Sequence, residues 1–237
     1  MSDHKNIPDL LVKIRAIALK QFLILIGTVL FLTGSCNDDT AEQEVVNPRT
    51  ASFNTFGVKW GEDQTFSPAG FDVEGPGTPG GTVTFSFRSS GIILETHSQS
   101  GVESQSFSAI VPFAREEIGN ALNSWSEQCQ IDFVEQPDSI DSDISFFIAP
   151  IEQGGLGYPP QSVGVEGNDI SGQVIFQPNQ NHSQHGFYVF ALHEIGHALG
   201  LGHASRSTVM GVNLSNPTMS DLQPGDIRGL QEIYGLK

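Results

Sequence analysis

Cysteine is almost missing from this chain, with only Cys36 and Cys129 among 237 residues. That scarcity excludes a disulfide-stapled scaffold and any cysteine-rich metal cluster. Basic side chains are also few, 11 Lys and Arg against 27 Asp and Glu, for a formal charge of −16. So acidic a chain is repelled by phosphate backbones, which excludes nucleic acid as a partner. The acidity reads first as an aid to solubility, although carboxylates also suit hard cations and keep Ca2+ a candidate ligand. Long apolar stretches are absent too. The longest, 22–32, is too short for an ordinary membrane-spanning helix. No internal repeat occurs, and no glycine-aspartate nonapeptide of a calcium-binding β-roll.

The short apolar run is informative by its flanks. Lys13, Arg15 and Lys20 precede it and Thr33-Gly34-Ser35-Cys36 follows, a pattern similar to a bacterial lipoprotein signal in which Cys36 becomes the lipid anchor. The pattern departs from the usual one in having Thr33, not leucine, three residues before the cysteine, with Leu32 one further back. Ordinary secretory cleavage and an uncleaved anchor are the alternatives; all three imply export. The expected organisation is a signal peptide over 1–35, a flexible acidic tether over 36–55 and a globular domain over 56–237. The implied location is the cell envelope, as an outer-membrane or cell-surface lipoprotein. With Cys36 lipidated, Cys129 has no disulfide partner within the chain and reads as a small buried hydrophobe.

Near the C-terminus stands His193-Glu194-Ile195-Gly196-His197-Ala198-Leu199-Gly200-Leu201-Gly202-His203, that is, H-E-x-x-H-x-x-G-x-x-H. Four-residue spacing on a helix puts the His193 and His197 imidazoles on one face, about one turn apart, as two ligands of a tetrahedral Zn2+ require. Glu194 projects beside them as a general base rather than a ligand. Gly200 can take the positive φ that ends the helix and returns the chain to deliver His203. Three protein ligands leave a fourth position for water, the catalytic arrangement.

Around the motif, the alternation Thr82-Val83-Thr84-Phe85-Ser86-Phe87 reads as a strand, and 131–134, 144–149 and Gln173–Phe176 as further short strands. Ala114, Ile118, Ala121, Leu122 and Trp125 recur at helical spacing after Pro112. A helix over 187–199 carries the first two histidines. A last helix begins near Pro224 and ends at Gly235. This order predicts a mixed α/β (α+β) domain: a twisted mixed sheet with an active-site helix, a backing helix and a C-terminal helix. The metal is expected in a cleft below an edge strand near Gln173–Phe176.

The chain resembles the metzincin zinc endopeptidases. Ser207-Thr208-Val209-Met210-Gly211 is similar to their methionine turn, which would set Met210 below the imidazoles. Trp125-Ser126, Ile131-Asp132-Phe133 and the stretch 222–235 resemble matrixins, whereas Gly57-Val58-Lys59-Trp60-Gly61 and the zinc motif itself resemble serralysins. Three departures qualify the likeness. Val212 stands where serralysins carry a zinc-binding tyrosine. The segment 154–176 has no histidine, and Ile175 occupies a place of the second, structural zinc of matrixins, so one zinc is expected. Neither cysteine has the Pro-Arg-Cys-Gly context of the matrixin pro-segment. His182 and His185 read as solvated loop histidines.

What the resemblance implies is a metalloendopeptidase acting on extracellular proteins or peptides as a monomer, with His193, His197 and His203 on zinc and Glu194 as base. A catalytically silent surface-binding lipoprotein of the same fold is the alternative, against which the intact Glu194 argues. A zinc hydrolase of non-peptide substrates would share the same residues.

Overall fold

The computed structural model describes residues 51–61, 77, 79–138, 141–211 and 219–237. The signal and most of the tether, including Cys36, lie outside the described residues, as do 212–218 just after the methionine turn. The strands among the described residues are β1 (Asn54–Thr55), β2 (Gly81–Phe87), β3 (Ile93–Glu95), β4 (Ser100–Glu103), β5 (Ile131–Glu135), β6 (Ile144–Ile148), β7 (Gly155–Gly157), β8 (Gln173–Phe176) and β9 (Leu201–Gly202). The α-helices among the described residues are α1 (Ala114–Ser126), α2 (Gln184–Ala198) and α3 (Pro224–Tyr234).

The main sheet has the order β5-β2-β6-β8-β7. Its first four strands run parallel, and β7 closes one edge antiparallel to β8. This is the mixed α/β architecture that the residue pattern predicts. Both faces are covered, which is why every residue of β6 is buried rather than alternating in and out. Phe146 and Ile148 of β6 and Val174 and Phe176 of β8 face the helices, packing with Ile118, Leu122 and Trp125 of α1 and Phe187, Leu192 and Ile195 of α2. Burying each such side chain contributes about 1.5–3 kcal/mol. Phe147 and Ile175 turn to the other face, where they join Leu94, Ile151, Tyr158 and Ile170 under the β3–β4 hairpin. Ile175, expected at the place of a second zinc ligand, thus sits fully buried in an apolar cluster.

The predicted edge is the one element that has to be moved. Gln173–Phe176 is an interior strand, and the edge is Gly155-Leu156-Gly157. A Cβ on Gly157 would collide with the backbone oxygen of Glu194, and one on Gly155 would reach 2.5 Å from the Phe190 ring. Only glycine lets this strand lie so close to α2. The hairpin β3–β4 and the two-residue pair β1–β9 are further elements beyond the predicted set. The last residues of the stretch read as tether are packed, with Ala51 and Phe53 buried.

The hairpin also clasps the loop that follows β7. Glu95 accepts hydrogen bonds from the Glu166 N–H and the Asn168 side-chain amide. Burial pushes the Glu95 carboxyl up, but the Glu166, Asn168 and Gly167 donors outweigh it and hold it below its usual value. A carboxylate lowered in this way stabilises the fold fully above its unfolded value, near pH 4.3, and less as pH falls through the folded one. The loop 163–169 should therefore lose amide-exchange protection on acidification below about pH 4. Protection there that is unchanged down to pH 3 would show that the clasp is not ionic.

Candidate metal centre

Helix α2 opens at Ser183, whose side chain accepts from the Gly186 N–H at 3.0 Å. Its far end is held by side-chain donors: the Trp60 indole gives 2.9 Å to the Ala198 carbonyl, and the Tyr234 hydroxyl 2.8 Å to that of Leu199. These satisfy carbonyls that a helix terminus otherwise leaves unpaired. Gly200 follows with φ 103°, a value side chains with a Cβ rarely adopt, and turns the chain into β9.

The turn brings His203 back to the helix. Nε2 of His197 lies 3.1 Å from Nε2 of His193 and 3.2 Å from Nε2 of His203. All three ligand atoms fall within 4.8 Å of one another. Tetrahedral ligands about 2.05 Å from a zinc stand roughly 3.3 Å apart, so the donor set fits that ion. Among the described residues this is the one group of three or more His, Cys, Asp or Glu placed to hold a metal.

The tautomers agree with this. Nδ1 of His193 is 2.7 Å from the Val209 carbonyl and Nδ1 of His197 2.8 Å from that of Leu201. Each Nδ1 therefore carries the proton and each Nε2 keeps its lone pair toward the centre. Burial, with some repulsion from neighbouring imidazoles, lowers His193 to about 4 and His197 to about 3, so both are neutral in ordinary buffers. Glu194 is 5 % exposed beside them. Burial raises its carboxyl to about 8, partly opposed by the Gly157 N–H. A dication on the imidazoles would draw that value down.

Two supports come from elsewhere in the chain. The first is the methionine turn: the Met210 thioether packs where a Cβ on Gly196 would stand, and the Ala204 N–H donates to the Met210 carbonyl at 2.8 Å. Asp226 fixes this turn from α3, its carboxylate accepting from the N–H groups of Val209 (2.8 Å), Met210 (3.1 Å) and Gln223 (2.9 Å). Burial still leaves the Asp226 carboxyl above its ordinary value despite those three donors. The second is β1, which pairs with β9, while the Asn54 side-chain amide donates to the His203 carbonyl at 2.6 Å.

His193, Glu194, His197 and His203 are thus brought together, with Met210 against their helix. His182 is not part of the group: its ring stacks on Phe190 at 5.1 Å and its Nε2 lies 2.6 Å from Gln180 Oε1. His185 Nε2 is 3.4 Å from the Met219 carbonyl. Asp141, Asp143 and Asp169 line a separate cavity, and the Asp143 carboxylate there accepts from the backbone N–H and hydroxyl of Thr84, each at 2.7 Å. Motif reading did not single out Asp226, Asn54 or Gly157. Asp226 carried a local signal, since it is N3 of a helix that Pro224 opens, in a capping box with Gln223; Asn54 and Gly157 carried none.

Compared with known families, residues 112–235 match the family model described as matrixin. Among curated proteins, human matrix metalloproteinase-27 is 33% identical over 98 residues, covering 38% of this chain and 18% of its own. Human matrix metalloproteinase-16 is 28% identical over 146 residues, 52% of this chain and 24% of its own. The aligned stretches thus span a quarter or less of those relatives' lengths.

Proposed function

This chain belongs to the matrixin family, and from that premise we propose that it is a zinc-dependent endopeptidase hydrolysing extracellular proteins or peptides. The observation that carries the reading is the convergence of three Nε2 atoms with a buried Glu194 carboxylate on the same helix. His193, His197 and His203 would hold the ion. When bound, zinc supplies Lewis acidity, acidifying a water and polarising the scissile carbonyl. Glu194 takes the proton of the attacking water on a carboxylate oxygen and returns a proton to the departing amine. The two Nδ1 contacts keep the imidazoles oriented through that cycle. An extended peptide lies along β7, the strand at which the sheet order ends among the described residues, and pairs with it main chain to main chain.

Metal removal tests the reading. Protein substrate should be cleaved by the zinc-loaded protein, spared after chelation and cleaved again when one equivalent of Zn2+ is restored. Cleavage that persists in metal-stripped protein would sink the zinc mechanism. Stoichiometric zinc without cleavage of any protein or peptide would favour the silent binding protein, and turnover of small esters or amides alone would favour the non-peptide hydrolase.

A further inference from the structure

The N-terminal segment that supports His203 also places a large apolar side chain beside the metal centre. Phe56 directly follows β1, and its N–H donates to the Gly200 carbonyl at 2.8 Å. Its ring lies 5.9 Å from the His197 ring, tilted by 45°, yet 51 % of the residue is exposed. A lone exposed phenylalanine needs no explanation in itself. This one differs in being tied by main-chain bonds to the very turn that delivers the third histidine.

Built on the endopeptidase reading above, we infer that Phe56 is a specificity-determining residue: it forms an apolar subsite wall for a substrate side chain on the amino-terminal side of the cut. The direction follows from β7. A Cβ on Gly155 would meet the Phe190 ring and the Glu194 carboxylate, whereas one on Gly157 would meet the Glu194 backbone and lie 3.0 Å from the His197 Cβ. Strand β7 therefore runs along α2 from Phe190 toward His197, the ring that Phe56 approaches. A peptide paired antiparallel to it, the commoner pairing, lays its amino-terminal half over His197 and Phe56. Extended chain advances about 3.3 Å per residue, so a ring this far from His197 meets the second or third residue before the scissile bond. The substrate class is a peptide with leucine, phenylalanine or a similar apolar residue there. Phe56 has only two side-chain torsions to order, and its backbone is fixed beforehand, so little entropy opposes the contact.

The test compares the parent, Phe56→Ala and Phe56→Leu on peptides with Leu, Phe or Ser at each position flanking the cut. Product masses locate the bond, and zinc content is measured on every variant. Affinity for the Leu and Ser peptides is measured in a Glu194→Gln background, with and without Phe56→Ala. Phe56→Ala should narrow the Leu-over-Ser preference about tenfold in kcat/KM at one position, two or three residues before the cut. The same narrowing should appear in affinity, with zinc content retained and Phe56→Leu restoring most of the preference. Equal loss on all peptides, an unchanged preference, or a change after the cut would overturn the assignment. If the parent cleaves nothing, the endopeptidase reading fails separately, and equal affinities for the two peptides would then overturn this inference as well.

Discussion

Glu194→Gln protein should cleave its substrate roughly 10²–10⁴-fold more slowly than the parent while carrying the same zinc. Glutamine matches the shape of glutamate and keeps an oxygen to accept the Gly157 N–H that now reaches the carboxylate. It cannot accept the proton of an attacking water, so the loss falls on kcat. Zinc should stay because the converging nitrogens are those of His193, His197 and His203, and Glu194 is not among them. Single-turnover kinetics beside metal analysis separate the two effects. A variant that retains activity within tenfold of the parent would remove Glu194 from the role of base. One that loses its zinc would make the residue structural to the centre.

The second large effect is expected at Asp226, which lies on α3 and is 1 % exposed. Asp226→Ala strands three N–H groups, two of them in the methionine turn. An unsatisfied buried donor costs about 1–3 kcal/mol, and partial relaxation should leave a total near 3–5 kcal/mol. Zinc affinity should fall as well. The Asp226 carboxylate fixes the Val209 N–H, and the Val209 carbonyl orients the His193 ring. Outer partners of metal ligands are commonly worth 10–100-fold in affinity, and that range is expected here. Denaturant titration and competition with a zinc chelator read the two quantities separately. Lost stability with unaltered zinc affinity would confine Asp226 to the fold, and no change in either would refute the arrangement.

How much of this was legible in the residues depends on the range of the interaction. His193 and His197 were readable because one helical turn relates them, and His203 because Gly200 marks where the helix reverses. Strands β6 and β8 were readable from the runs Phe146-Phe147-Ile148 and Val174-Ile175-Phe176, and α1 and α3 from apolar residues at helical spacing. Strand β7 was not. Gly-Leu-Gly has neither strand propensity nor alternation, and its glycines answer to the approach of α2, a demand no neighbour in sequence expresses. The same holds for the Asn54 contact, made to a residue 149 positions away. Glu95, too, is set apart from the chain's other acids only by donors of the loop that holds Glu166 and Asn168.

The pairing of β1 with β9 also sets an order of assembly. His193 and His197 come into line as soon as their helix forms, a local event that is fast once packing holds the helix. The strand leading to His203 is fastened only when residues near 54 meet residues near 202, which closes a loop spanning most of the domain. Closures of that range come late because the chain entropy must be surrendered before the contacts reward it. A nascent chain therefore holds two imidazoles in register without the third. The full donor set belongs only to the completed fold, so a half-folded chain is a poor holder of a metal ion.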